Sequence, residues 1–344
     1  MKISSNNKYY LKACKRESQF RDWDFEYITN LPKDVNLYQN VKKHWNENID
    51  DFWYLKSLWY FEKWLSIWSW GGIFELNLIK SWVVGEFTFL DISKKAHETL
   101  RKNAIDLWIE DKIKTDIQDF NFLKLENNSY DIVSCQNILH HLINLEDALY
   151  EINKSLKPDW IFVVDDFIGE KKMYRSDTKM KMIEMIKVFL KEKHNIETNT
   201  FIRTNPKVLT NNCPFECVRS DELYEILKYY FGENIVKESL FWHIFSNWWW
   251  IIKDYNPIFF DVLRLFDDFA AKNNLVSPSR IFGVYKKSNK WLLKSENRTK
   301  QEIRENIKVS IINENFLMKF GNNISKKSPW ITSILKRIYF MLRK

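Results

Sequence analysis

The sequence predicts an α/β fold in which a doubly wound, mostly parallel sheet of seven strands has helices on both faces. From Trp64 onward, short apolar runs alternate regularly with helical segments, and strands separated by helices usually pair in parallel. In addition, Trp64–Leu76 has the pattern of a strand, a tight turn and the start of a helix, and the next strand ends at Asp91. This order is typical of a βαβ nucleotide-binding unit.

Each predicted strand is an apolar run bounded by turn residues, and each predicted helix has apolar positions three or four residues apart. We predict strands at residues 64–69, 86–91, 112–117, 130–136, 160–165, 235–240 and 280–286. We predict helices at residues 72–80, 93–106, 145–156, 173–193 and 220–230, with a turn-rich link through Pro206 and Pro214.

Three regions follow from this pattern. Residues 1–62 contain polar and aromatic helical segments and are expected to form a lid or a dimer surface. Residues 63–287 form the main domain, in which residues 168–234 are an insertion suited to covering a substrate. Residues 288–344 form a basic helical tail.

Composition narrows the class of protein. The chain has 344 residues, of which 45% are hydrophobic, so it can bury one large core. It has no uninterrupted apolar run of about 18 residues, and the segment 1–8 has no apolar signal core, so we expect a cytoplasmic protein. Of the four cysteines only Cys213 and Cys217 are closely spaced, with no second pair and no neighbouring histidine. We therefore predict buried, unbridged thiols and no metal site.

Charge is concentrated at the carboxyl end. Residues 286–344 contain 15 Lys or Arg and 4 Asp or Glu, whereas the whole chain has a net charge of +8, so the body is slightly acidic. The body is therefore not a nucleic-acid surface, and no specific nucleic-acid partner is predicted. In residues 330–344, apolar positions share one helical face among cations, which suits an anionic membrane surface on the cytoplasmic side. The same face could instead dock on the body or on a second subunit, and the oligomeric state stays open.

Tryptophan stands at several positions where glycine is expected. The chain has 16 Trp and only 7 Gly. Trp82 and Trp108 follow helical runs, and Trp160 opens a strand from a turn, while Trp68 and Trp70 lie in the tight turn of the βαβ unit. We hypothesise that the source organism decodes UGA as glycine and that these codons were translated as tryptophan. UGG codons at these positions would contradict the hypothesis.

Five segments together resemble one known family. With glycine at positions 68 and 70, residues 65–72 resemble the first motif of class I S-adenosylmethionine-dependent methyltransferases. Residues 119–121 resemble that family's loop after the third strand, residues 129–142 its fourth-strand segment, and residues 156–165 its turn into the fifth strand, while Asp91 ends the second strand. The resemblance covers about residues 60–167 and implies a Rossmann-like methyltransferase fold with S-adenosylmethionine as cofactor.

The resemblance also implies the cofactor-binding positions. They are Ser66, Trp68, Ser69, Trp70, Gly71, Gly72, Asp91, Ile92, Asp119, Phe120 and Asn137. Asp91 is expected to accept hydrogen bonds from the ribose hydroxyls, and Asp119 to bind the adenine. Ser66 replaces the acidic residue that often begins the first motif, which removes one contact to the amino end of the cofactor.

Catalytic candidates follow the fourth and fifth strands. His140 and His141 are expected to face the sulfonium or to act as a base, although adjacent histidines cannot share one helical face, so at least one should be structural. Asp165 and Asp166 end the strand where the substrate should approach.

Within the insertion, Glu216 and Arg219 are either a substrate clamp or a structural ion pair. Residues 213–220 resemble an insertion in a bacterial branch of the family associated with glycan and envelope biosynthesis. The expected reaction is therefore methyl transfer to a small-molecule or glycan-type acceptor, in envelope polysaccharide biosynthesis.

Two alternatives remain open. A nicotinamide-dependent oxidoreductase uses the same kind of βαβ unit. The resemblance to the methyltransferase family implies that the last strand, residues 280–286, is antiparallel, which argues against this alternative. If Trp68 and Trp70 are genuine, their rings would fill the cleft, and the chain would be a non-catalytic binding protein.

Overall fold

The computed structural model describes residues 10–19, 60–67, 72–197, 203–241, 244, 265–267 and 269–290. Its strands are β1 Phe61–Ile67, β2 Val84–Asp91, β3 Ile113–Ile117, β4 Tyr130–Gln136, β5 Leu156–Phe167, β6 Ile235–Phe241 and β7 Arg280–Lys286. Helix α1 comprises residues 10–19. The following helices are α2 Ile73–Lys80, α3 Lys94–Asp106, α4 Leu145–Ser155, α5 Asp177–His194, α6 Pro206–Asn212 and α7 Ser220–Phe231.

Several predictions fall on residues that the structure does not describe. These are the predictions for Trp68, Ser69, Trp70 and Gly71, for most of the segment 1–62, and for the tail after residue 290.

All seven strands of the described chain form one sheet in the order β3-β2-β1-β4-β5-β7-β6. The strands β1 to β5 pair in parallel, and β7 is antiparallel to both β5 and β6. The predicted doubly wound, mostly parallel sheet with an antiparallel last strand is confirmed. From β1 the chain runs outward in both directions, so the carboxyl ends of β1 and β4 flank a crevice at the topological switch point.

Helices cover both faces of the sheet because their apolar residues recur every three or four positions. On one face, α2 and α3 contribute Leu76, Ile79, Leu100 and Ala104 to a core that also includes Trp64 of β1. On the other face, α4 and α7 contribute Leu145, Leu149, Leu223 and Leu227. Trp64 has no exposed surface, and its Nε1–H donates to Ser134 Oγ at 2.8 Å. Tryptophan is therefore a well-fitted residue at position 64.

Several elements differ from the prediction in their bounds or in their kind. β1 begins at Phe61 and β5 at Leu156, each several residues earlier than predicted. The predicted turn-rich link through Pro206 and Pro214 is wrong for residues 206–212, which form helix α6, and is confirmed for residues 214–219, which form turns and bends. Asn205 caps this helix by accepting hydrogen bonds from the backbone N–H groups of Lys207 and Val208, and Pro206 occupies the first helical position. These are strong signals for a helix start.

Two further expectations concern the chain as a whole. None of the four cysteines forms a disulfide bond, and Cys135, Cys213 and Cys217 are buried, as predicted. Among the helices that the structure describes, none has both the length and the apolar character needed to cross a bilayer.

Candidate functional site

At the carboxyl end of β1, Ser66 contacts a buried carboxyl group. Its Oγ donates to Oε1 of Glu75, in the first turn of α2, at 2.8 Å. Burial raises the pKa of Glu75 to about 7, and the hydrogen bond from Ser66 opposes this only in part. Ser66 and Glu75 line a small cavity together with Gln136 and Asp165. The acidic group that β1 lacks at position 66 is thus supplied by α2.

Helix α2 begins at a position that strongly favours glycine. Gly72 has φ +68°, a left-handed conformation, and a Cβ atom there would lie 2.2 Å from Leu100 Cδ1. The first backbone N–H groups of a helix have no partner within the helix and favour a negatively charged or polar ligand. Gly72 therefore allows α2 to begin close against α3 at the edge of the crevice.

Asp91 lies at the end of β2 and is 4% exposed. Its Oδ1 accepts the backbone N–H of Ser93 at 2.8 Å, while Ser93 Oγ caps α3 by accepting Ala96 N–H at 3.1 Å. Ile92, between them, is half-buried. These contacts fix the carboxylate at the carboxyl edge of the sheet, where the sequence predicts contact with a ribose.

Asp119 lies after β3 and contacts helix α1. The Tyr10 hydroxyl lies 2.8 Å from both carboxylate oxygens, and Cys14 Sγ lies 3.6 Å from Oδ2. Oδ1 also accepts Asn121 N–H at 3.0 Å, which caps the 3₁₀ turn in which Phe120 is buried. A helix from the N-terminal segment therefore packs on the loop after β3.

Asp166, near the end of β5, is buried and bonds to the turn after β4 instead of facing the crevice. It has no exposed surface, and Oδ2 accepts the backbone N–H groups of Ile138 and Leu139 at 2.9 and 2.7 Å. Its Oδ1 lies 2.5 Å from His140 Nδ1. We therefore assign Asp166 a positioning role in the turn after β4.

Asp165 faces the cavity and forms an ion pair with Arg280 of β7 at 2.5 Å. Its carbonyl accepts the backbone N–H of Asn137 at 2.9 Å. Asn137 has φ +53°, a left-handed conformation that asparagine adopts more readily than most residues. The turn after β4 is thus held by both predicted aspartates of β5.

His140 and His141 both reach Glu216 of the insertion. Nε2 of His140 lies 3.4 Å from Glu216 Oε1, and Nε2 of His141 lies 3.5 Å from Oε2. The sequence did not predict that both histidines contact the same residue, because adjacent residues of an α-helix face different directions. Leu139–His141 is instead a single 3₁₀ turn. Burial alone would lower the pKa of His140, but Asp166 and Glu216 raise it to about 9. A protonated His140 is a poor general base at neutral pH.

Arg219 is not paired with Glu216. Its guanidinium donates to Glu146 at 2.6 and 2.7 Å, to Glu222 at 2.7 Å and to the carbonyl of Ile143 at 2.8 Å. Arg219 is 4% exposed, and these contacts link the insertion to α4. The sequence left open whether Arg219 binds substrate or forms a structural ion pair. In the structure Arg219 forms an ion pair with Glu146 and Glu222 instead of Glu216.

A comparison with protein families matches the part of the chain that contains most of these residues. Residues 71–164 match the model of a methyltransferase domain, and this span includes Gly72, Asp91, Asp119 and His140. The match supports, over residues 71–164, the class I S-adenosylmethionine-dependent methyltransferase family that the sequence motifs resemble. The match covers a little more than a quarter of the 344 residues.

Solved structures resemble the methyltransferase domain at low sequence identity. An S-adenosylmethionine-dependent methyltransferase from Mesorhizobium loti is 13% identical with a TM-score of 0.38, and the alignment covers 70% of this chain and 99% of that one. The PH0226 protein from Pyrococcus horikoshii OT3 is 14% identical with a TM-score of 0.42, covering 76% of this chain and 99% of that one. No curated protein sequence matches the chain significantly.

The described residues of the methyltransferase domain fit S-adenosylmethionine, the cofactor of this family. The cofactor carries an ammonium group and a ribose diol, and the edge of the sheet offers the carboxyl groups of Glu75 and Asp91. The donor set is therefore compatible with the cofactor.

Sequence reasoning missed Glu75, Tyr10 and Glu17 at this site. Glu75 could have been found, because an acidic residue in the first turn of the helix after a glycine turn lies near the carboxyl end of the preceding strand. Tyr10 and Glu17 lie more than a hundred residues before their partners Asp119 and His141, and no local pattern predicts such contacts.

Proposed function

We propose that the protein transfers a methyl group from S-adenosylmethionine to a hydroxyl or amine of a small-molecule or glycan-type acceptor. The observation that carries this proposal is the position of three carboxyl groups within the methyltransferase match: Glu75 in the first turn of α2, Asp91 at the end of β2 and Asp119 in the loop after β3. When bound, the cofactor supplies an electrophilic methyl group on a sulfonium.

Each of these residues would do a separate task. Asp91, held by the N–H of Ser93, would accept hydrogen bonds from the ribose diol. Glu75 would bind the ammonium group, which favours the ionised form of its carboxyl group. Asp119 would bind the adenine from beneath α1. Because methyl transfer is an in-line displacement, alignment of the acceptor by the walls of the crevice would supply most of the rate enhancement.

The acceptor would enter beside the fifth strand. Asp165 lines the cavity there, and the insertion that contains Glu216 packs against the turn after β4. The resemblance of residues 213–220 to the glycan-associated branch supports a saccharide acceptor from an envelope polysaccharide pathway. Release of S-adenosylhomocysteine, measured with a panel of nucleotide sugars and lipid-linked saccharides, tests this class of acceptor against small alcohols and amines.

Calorimetry of the Trp68→Gly, Trp70→Gly protein tests the proposed cofactor. We expect S-adenosylmethionine to bind this variant and NAD not to bind. Binding of NAD alone would instead support a nicotinamide-dependent oxidoreductase, and binding of neither would support a non-catalytic protein. The unsubstituted chain, measured in parallel, shows whether the two tryptophans block the crevice.

In the same background, Asp91→Ala should weaken cofactor binding. The variant loses charge-assisted hydrogen bonds, each worth on the order of 1.5–3 kcal/mol, so the Kd should rise roughly tenfold to a hundredfold. Asp116→Ala is the matched control, because Asp116 is an exposed carboxylate on the neighbouring strand β3. An unchanged Kd for Asp91→Ala would show that Asp91 does not contact the cofactor.

A further inference from the structure

Six side chains of the types that bind transition metals converge beside the turn after β4. They form two groups of three, within each of which the donor atoms all lie within 4.8 Å of one another. The groups, which together we name the His–Cys cluster, are Glu17, His141 and Cys213, and His140, Glu216 and Cys217. Each group offers one carboxylate, one imidazole and one thiol.

The distances from each carboxylate to the imidazole and the thiol of its group are within about 0.2 Å of those expected for ligands around one ion. Zn²⁺ binds sulfur at about 2.3 Å and nitrogen or oxygen at about 2.0–2.2 Å, so neighbouring ligands of a tetrahedral ion lie about 3.3–3.8 Å apart. In the first group, Glu17 lies 3.2 Å from His141 Nδ1 and 3.1 Å from Cys213 Sγ. In the second group, Glu216 Oε1 lies 3.4 Å from His140 Nε2 and 3.3 Å from Cys217 Sγ. A small adjustment would place an ion within each group.

Both imidazoles are also oriented as metal-binding histidines are. In metal sites, the ring nitrogen that does not bind the ion usually donates to a carboxylate or a carbonyl. His140 directs Nε2 into its group, and its Nδ1 lies 2.5 Å from Asp166 Oδ1. His141 directs Nδ1 into its group, and its Nε2 lies 3.5 Å from Glu216 Oε2. Each ring therefore has a carboxylate on its outer nitrogen.

Burial removes this cluster from water, and the cations already beside it are His140 when protonated and the buried ammonium group of Lys172. Glu17, Cys213 and Cys217 are at most 4% exposed, and Glu216 is 14% exposed. Carboxylates removed from water need compensation by a paired charge or a metal ion. The two thiols and two carboxylates, when ionised, would balance one divalent ion in each group. The soft sulfur ligands favour zinc over magnesium or calcium.

The backbone around the cluster fixes these donors. Cys217 has φ +46°, a left-handed conformation that is uncommon for cysteine. Its carbonyl accepts Lys172 N–H at 2.8 Å, and the next residue, Val218, donates its N–H to the carbonyl of His140 at 3.1 Å. Residues 213–217 are thereby held against the turn that contains both histidines.

We propose that the His–Cys cluster binds Zn²⁺ and ties α1, the turn after β4 and the insertion together. These three segments are far apart in sequence, so metal ligands from all three would cross-link the chain next to the crevice. The alternative is a metal-free network in which the thiols and imidazoles donate to the carboxylates. Zinc content distinguishes the two without any assumption about the methyltransferase reaction.

Native mass spectrometry of the full chain, loaded with Zn²⁺ and then exchanged into zinc-free buffer, measures the bound ions. We expect one ion for each donor group in the unsubstituted protein and none in the Cys213→Ala, Cys217→Ala variant. Cys135→Ala is the matched control, because it removes a buried cysteine outside the cluster and should leave the zinc content unchanged. A zinc-free unsubstituted protein, or equal zinc in all three proteins, would overturn the proposal.

A second measurement needs no variant and therefore stands even if the double substitution fails to fold. Co²⁺ replaces Zn²⁺ in such sites, and cobalt bound to thiolate gives a sulfur-to-metal charge-transfer absorption that cobalt bound only to oxygen or nitrogen lacks. We expect this absorption in the unsubstituted protein after titration with Co²⁺, and its loss when Zn²⁺ is added. Its absence throughout the titration would also overturn the proposal.

Discussion

Trp82 and Trp108 occupy backbone conformations that suit glycine. Each has φ +59° directly after a helix, and their side chains are 77% and 89% exposed. The N–H groups of Trp82 and Val83 donate to the carbonyls of Ile79 and Leu78. Trp108 and the residue after it make the same pattern of bonds at the end of α3. This pattern is the Schellman motif, whose left-handed position is usually glycine.

We therefore expect Trp82→Gly and Trp108→Gly each to stabilise the protein by about 1 kcal/mol, because a left-handed conformation costs other residues roughly 1–2 kcal/mol. Urea unfolding followed by circular dichroism measures the gain. Trp64→Gly is the opposite case, since it removes a fully buried ring, and it should destabilise the fold strongly. Destabilisation by all three substitutions would contradict a glycine origin of positions 82 and 108.

Trp160, unlike Trp82 and Trp108, is not in a left-handed backbone conformation. Trp160 lies within β5, and its ring centroid is 5.7 Å from that of Phe61. The left-handed residue of that turn is Asp159, with φ +65°. The backbone therefore offers no reason for glycine at 160, and the hypothesis rests there on the sequence alone.

Glu75 should make stability depend on pH. Its pKa is about 7 in the folded chain because of burial, against an ordinary value of 4.5. A carboxyl group with a raised folded pKa favours folding fully below the unfolded pKa, and this contribution is lost as pH rises through the folded pKa. The shift corresponds to about 3 kcal/mol, lost between about pH 4.5 and 7.

Glu75→Gln removes this titration. Relative to the unsubstituted protein, the variant should gain on the order of 3 kcal/mol in unfolding free energy between pH 4.5 and pH 8. Urea unfolding at four pH values measures the difference. Glu98→Gln, on the exposed surface of α3, controls for the loss of one carboxylate charge. Parallel pH profiles for Glu75→Gln and the unsubstituted protein would show that Glu75 does not titrate in this range.

At the scale of elements, the sequence pattern predicted all seven strands because turn residues lie at their ends and five of them are largely buried apolar runs, whereas β3 and β6 are half-buried or exposed. The first residues of β1 and β5 were harder to predict from the sequence. Residues 61–63 and 156–159 contain Lys, Glu, Pro and Asp, which disfavour a strand, yet they pair with residues of neighbouring strands at Phe61, Lys63 and Leu156. Pairing across the sheet overrides local preference there.

Arg219 is expected to hold the insertion on the main domain. Arg219→Met would leave Glu146 buried without its cation, and breaking such a pair typically costs about 3–5 kcal/mol. The urea midpoint should therefore fall steeply. Adding Glu146→Gln to this variant should recover part of the loss, because it removes the unpaired charge.

Arg203→Met provides the comparison, since Arg203 pairs with Asp177 at an exposed position and should change the midpoint little. Equal effects of Arg203→Met and Arg219→Met would contradict a structural role for the buried pair. If Arg219→Met instead has an unchanged urea midpoint and a reduced affinity for the acceptor, Arg219 would be a substrate-binding residue.

At the scale of the molecule, the positions on the main sheet were predictable and the contacts from the N-terminal segment were not. Asp91 and Asp119 follow strands whose order sets their place at one edge. The spacing of Cys213 and Cys217 gave no sign that His140 and His141 lie beside them, because the insertion folds back onto the turn after β4. Contacts between distant segments depend on packing that no local pattern encodes.

Tyr10 is expected to couple α1 to the methyltransferase domain. Its hydroxyl bonds the Asp119 carboxylate, and its ring stacks on Phe215 with centroids 5.6 Å apart. Tyr10→Phe keeps the ring and removes a hydrogen bond to a charged group, worth about 1.5–3 kcal/mol. Local opening of α1 should become roughly tenfold to a hundredfold more frequent, while the global unfolding midpoint changes less.

Hydrogen–deuterium exchange of residues 10–19, followed by mass spectrometry, measures this opening. Tyr230→Phe is the matched control, because its buried hydroxyl donates to the Glu146 carbonyl at 3.2 Å, away from α1. It should leave the exchange of residues 10–19 unchanged. Faster exchange only in Tyr10→Phe would mean that the hydrogen bond to Asp119, the predicted adenine contact, holds α1 in place. Equal exchange in both variants would show that α1 docks without help from Asp119.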